Sequence, residues 1–77
     1  PGHGKVTDTN GISRLKSLLK DFWSAVEKGY EDGLADYEMV ADVIKALAAY
    51  EPFYPGLAEK VKRDISSVYL QVEAANF

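Results

Sequence analysis

Ile12, Leu15, Leu19, Phe22 and Val26 recur at intervals of 3, 4, 3 and 4 residues. This is the spacing of one face of an α-helix, and it excludes the period of two that a half-buried strand needs. Leu18 and Trp23 flank the stripe, and at 100° per residue the seven side chains fall within an arc of roughly 140°. Arg14, Lys16, Ser17, Lys20, Asp21, Ser24, Glu27 and Lys28 fill the rest of the wheel. The pattern predicts a helix over about 11–30, with Thr9 or Asn10 as its cap. Gly29 and Gly33 supply the backbone freedom to end it. Such a stripe must be buried against something, and the rest of the chain decides against what.

The following segment, with Asp36 as its expected cap, predicts a second helix over 36–50. Val40, Val43, Ile44 and Leu47 form its centre, widened by Met39, Ala46 and Tyr50 on one side and by Tyr37 and Ala48 on the other. The apolar arc reaches roughly 220°, leaving only a strip of Glu38, Asp42 and Lys45 for water. A third helix is expected over 55–75, because proline at the first helical position loses no hydrogen bond. There Leu57, Val61, Ile65, Val68 and Val72 recur at 4, 4, 3 and 4. Leu70 points almost opposite that stripe. The predicted fold is all-α, a small three-helix bundle with short connections and sequential helices antiparallel.

Size limits what can hold this bundle together. The chain has 77 residues, enough for one core, and a core of this size leaves a thin stability margin. Cysteine is absent and there is one histidine, so neither a disulfide nor a four-ligand zinc site is expected. Residues 1–10, PGHGKVTDTN, contain two glycines and a proline, and only Val6 is a large apolar residue, so a flexible N-terminal arm is expected, with 11–77 as a single helical domain.

Charge and hydropathy remove further classes. The formal net charge is −3, against nonspecific nucleic-acid binding, which draws on Lys and Arg at the phosphates. No apolar run approaches the roughly 18 residues of a membrane span, and no stretch reads as a secretory signal. The expected localisation is cytoplasmic, with no nucleic-acid or membrane partner and no cofactor.

Chemistry-bearing groups are sparse. The histidine is His3, away from any nucleophile and base arrangement, so no catalytic residues and no enzyme activity are expected. Were Pro1 a free natural terminus, its amine, the amides of Gly2 and His3 and the His3 imidazole would offer four nitrogens in a plane, a weak signal for Cu(II) or Ni(II). Glu31, Asp32, Asp36, Glu38 and Asp42 form an acidic patch without the residue spacing of a calcium loop. Arg14, Lys16 and Lys20 lie in the first half of helix 1, where the helix dipole disfavours positive charge. A solvated helix face is the default reading of that placement, and an acidic partner the alternative.

The stretch AAYEPFYPGL, residues 48–57, places Tyr50, Phe53 and Tyr54 between two prolines. Pro52 and Pro55 satisfy a P-x-x-P spacing, but the neighbouring charge is Glu51 rather than the basic residue of polyproline ligands. Ending one helix, starting the next and capping the core accounts for more of the residues. A helix apolar over such a wide arc needs neighbours on more than one side, and large exposed apolar patches mark interaction surfaces.

The expected function is a noncatalytic structural or protein–protein interaction module. It would self-associate into a homo-oligomer or dock into a larger complex, in the manner of small virus, phage or bacterial assembly components. The expected contact residues are Met39, Tyr50, Phe53, Tyr54 and Leu70. The alternative is a small acidic regulator that covers a basic site on a target protein.

Overall fold

The structure is a computed structural model that describes residues 9–76. It is an all-α bundle of three helices, α1 (Thr9–Glu31), α2 (Asp36–Ala46) and α3 (Leu57–Ala75), with a short 3₁₀ helix, Ala48–Phe53, between the last two. Thr9 and Asn10, expected in the arm, are helical. The remainder of the proposed arm, with the Pro1, Gly2 and His3 nitrogens, lies outside the described residues.

Gly29 does not end α1. The helix runs through it, and the stop comes at Gly33, whose φ of 82° is left-handed. The Leu34 N–H donates to the Gly29 carbonyl at 2.9 Å and the Gly33 N–H to the Tyr30 carbonyl at 3.0 Å. These two bonds are the Schellman closure, which satisfies carbonyls that the last turn would otherwise leave unpaired. Two residues later α2 begins, with Ala35 rather than Asp36 in the cap position. Alanine has no capping oxygen. Instead Glu38 reaches back to accept from the Ala35 N–H at 2.8 Å, the glutamate half of a capping box.

α2 stops at Ala46, four residues before the expected end at Tyr50. Pro52 has no N–H to return to the Ala48 carbonyl, and its ring disfavours helical geometry at Glu51. The chain tightens accordingly into the 3₁₀ helix, in which the Tyr50 N–H donates to the Leu47 carbonyl at 3.0 Å. Pro55 does not start α3 either. Tyr54 to Leu57 form a type II turn: Pro55 takes the second position, Gly56 the third with φ 81° and ψ 13°, and the Leu57 N–H closes on the Tyr54 carbonyl at 3.0 Å. That third position demands a left-handed residue, which is why glycine follows the proline.

The core takes Leu18, Phe22 and Val26 from α1, Met39, Val43 and Leu47 from α2 and its end, and Leu57, Val61, Ile65 and Val72 from α3. No polar side chain is buried among the described residues. Each large aliphatic side chain removed from water contributes about 1.5–3 kcal/mol. α2 lies antiparallel to α1, with Met39 against Gly29 and Tyr50 beyond its end bonded to Asp21. It lies antiparallel to α3 as well, since Asp36 at its start accepts from Ser66 Oγ at 2.5 Å while Leu47 at its end lies beside Leu57 and Val61. Tyr30 meets Tyr69 edge to face, with centroids 5.8 Å apart, joining the later parts of α1 and α3.

Candidate docking surface

Most of the wide apolar arc of α2 is consumed inside the chain, with Tyr37, Ala46 and Ala48 left exposed. Met39 is 1% exposed and faces α1, while Ile44 and Leu47 face α3. The helix is central, with a neighbour on each side, and Met39 has no surface to offer a partner. Tyr37 stands in solvent at the start of the helix.

The expected aromatic surface divides. Tyr50 is half-buried, and its hydroxyl donates to Asp21 Oδ2 at 2.6 Å. That bond holds the phenol neutral and pushes its pKa up, with burial and the Asp21 charge adding to the effect. Tyr54 is half-buried against the core. Phe53 is exposed, with the Arg14 guanidinium 3.9 Å from its ring centroid, a cation–π contact that ties the 3₁₀ helix to the start of α1. Leu70 is exposed on α3, away from that helix's buried stripe. These residues do not make one continuous face.

The unspent apolar surface lies on α1, where the periodicity had suggested full burial. Ile12, Leu15 and Leu19 are 55%, 45% and 58% exposed, although they continue the stripe that carries Phe22 and Val26 into the core. Helix lengths explain the difference. At 1.5 Å per residue α1 is about 34 Å long; Tyr30 pairs with Tyr69, and α3 begins at Leu57, twelve residues earlier, so α3 comes level with α1 only from about Leu18 onward and leaves the preceding turns of the stripe uncovered, while α2, about 16 Å long, borders another side of α1. The 3₁₀ helix extends that cover along Arg14 and Asp21, which lie on another side of α1 from the stripe.

Around the exposed stripe α1 is basic: Arg14, Lys16 and Lys20 precede the first carboxylate, Asp21. The acidic residues occupy the opposite end. Asp36 accepts from its neighbour's Tyr37 N–H at 2.7 Å and from Ser66, and Glu38 is held by Ala35. Glu31, Asp32 and Asp42 have no side-chain partner among the described residues. Asp32 and Asp42, with Lys28, rim a groove of 430 Å³ between α1 and α2, whose accessible apolar lining is Ala25, Leu34 and Ala46 above the buried Met39. A smaller apolar cleft of 250 Å³ lies between the end of α2 and the start of α3, with Glu51 its one charged residue.

Among the described residues no cluster of three or more His, Cys, Asp or Glu side chains is arranged to hold a metal ion. No helix among them is long and apolar enough to cross a membrane. No family model, curated protein or solved structure matches the chain.

Proposed function

We propose that the chain is a noncatalytic protein–protein interaction module that works through the first half of α1, by self-association or by docking into a larger assembly. The observation that carries this reading is the half-exposure of Ile12, Leu15 and Leu19 on one face, while the same stripe is buried one turn further on. Three large aliphatic side chains aligned over two turns form a patch that a partner can desolvate, unlike apolar residues scattered singly. The alternative of an acidic regulator has less support, because Asp36 and Glu38 are engaged in holding the start of α2.

The test is light scattering coupled to size-exclusion chromatography over a concentration series. It compares the wild type with the triple variant Ile12→Gln, Leu15→Gln, Leu19→Gln, whose fold is checked by circular dichroism. The reading expects the wild-type mass to rise with concentration, or the wild type alone to be retained by its assembly. A folded triple variant that associates as the wild type does would overturn it.

A further inference from the structure

Building on that reading, we propose that the partner of the α1 stripe is a second copy of this chain, joined head to tail: the basic, apolar first half of α1 enters the acidic groove between α1 and α2 of the next molecule.

Charge and shape select this pairing. The stripe offers Ile12, Leu15 and Leu19 beside Lys16 and Lys20, and neither lysine has an ion-pair partner among the described residues. The groove offers the complement, an apolar lining with the unpaired carboxylates of Asp32 and Asp42 on its rim. Lys28 lies on the same rim and leaves the groove with one net negative charge. Opposite charges across an interface steer encounter and fix register, while the apolar contact supplies the attraction.

The symmetric alternative is disfavoured by the same charges. Packing two stripes face to face gathers Arg14, Lys16 and Lys20 of both copies in one region, with no carboxylate in that part of α1. Like charges brought together this way weaken the contact.

The two surfaces also leave each other free. Counting 100° per residue, the side of α1 that borders the groove, through Ala25, Lys28 and Asp32, lies about 140° round the helix from the stripe. It is also toward the other end of α1. One molecule can therefore donate its stripe and accept another at the same time. A head-to-tail contact of this kind continues until it closes into a ring or runs on as an open chain.

Two variants and their mixture test the proposal by light scattering and analytical ultracentrifugation, from about 10 μM to about 1 mM, the range in which small interfaces associate. Leu15→Gln with Leu19→Gln removes the donor face, and Asp32→Lys with Asp42→Lys removes the acceptor face. All substituted side chains are at least partly in solvent, and circular dichroism verifies each fold. The wild type is expected to grow past the dimer and each variant alone to stay monomeric. The mixture should form a one-to-one complex that stops at two chains, because each variant retains the half that the other lacks. Raising the salt from about 50 mM to about 500 mM should weaken wild-type association roughly tenfold.

A wild-type dimer that survives Asp32→Lys with Asp42→Lys would overturn the head-to-tail arrangement while leaving the α1 docking reading intact. Absence of a mixed complex, or insensitivity to salt, would also overturn it. A wild type that is monomeric throughout removes the second copy as partner, and the docking reading then depends on the triple variant's behaviour with another protein.

Discussion

A β-carbon at Gly29 would lie 2.8 Å from Met39 Cε and 2.9 Å from its Sδ, so the glycine and the methionine are two halves of one contact between α1 and α2. Met39 is buried, and its Cβ, 3.1 Å from the same position, cannot swing aside as the end of the side chain can. Replacing Gly29 with alanine gains about 1 kcal/mol of helix propensity, but overpacking of this kind costs about 1–3 kcal/mol. Gly29→Ala is therefore expected to destabilise by about 1 kcal/mol in urea denaturation. In a Met39→Ala background the sign should reverse, with the same change becoming stabilising. Equal effects in both backgrounds would show that the two residues are not coupled.

Leu18 and Leu19 are neighbours in sequence with opposite roles. Leu18 is in the core, whereas Leu19 is in solvent. Leu18→Ala should cost about 2–4 kcal/mol through lost burial and a cavity, and Leu19→Ala should stay within about 0.5 kcal/mol of wild type. Denaturation of the two single variants decides this directly, and comparable losses would place the Leu19 side chain inside the core.

The periodicity of α1 and α3 was legible because each helix packs one stripe on the interior. Leu57, Val61, Ile65 and Val72 are buried as their spacing implied. The errors arose where a wheel carries no information. It does not register that Pro52 acts several residues ahead of itself, so it extends α2 to Tyr50. Nor does it register that a short helix between two longer ones consumes apolar surface on both sides. The wheel therefore places the surplus on α2, whereas the late start of α3 leaves it on α1. The sequence marks Gly29 as a terminator because it shows a missing side chain without showing what fills the space.

Gly33 tests the corner between α1 and α2 without involving packing. A β-carbon there would meet nothing within 4 Å, so the only demand is on the backbone, at φ 82°. Gly33→Ala should cost about 1 kcal/mol, the usual penalty for an L-residue in the left-handed region. Gly33→Asn should cost less, since asparagine tolerates that conformation. If both substitutions prove neutral in thermal denaturation, the left-handed closure is not what ends α1.

The bond between Tyr50 and Asp21 makes an alkaline prediction. A phenol whose folded pKa lies above its unfolded value supports the fold while it is protonated. That support is complete below the ordinary value of 10.0 and is lost as pH rises through the higher folded value. Tyr69 is shifted the same way, first by burial and then by the Glu73 charge. The wild type should thus lose stability more steeply above pH 10 than Tyr50→Phe does, with the residual slope of the variant reporting Tyr69. Parallel curves for the two proteins in denaturation across that range would remove Tyr50 from the account.

The apolar core has a consequence for how this chain can change over generations. With no polar side chain buried among the described residues, no interior hydrogen bond fixes the identity of a particular residue, and volume-conserving exchanges among Leu, Ile, Val and Met are tolerated at modest cost. The positions that resist drift are at the corners, in the left-handed glycines at 33 and 56, where the backbone excludes most substitutes. Descendants of one ancestor could share this bundle while keeping little recognisable text beyond a glycine after the first helix and a Pro-Gly pair before the last.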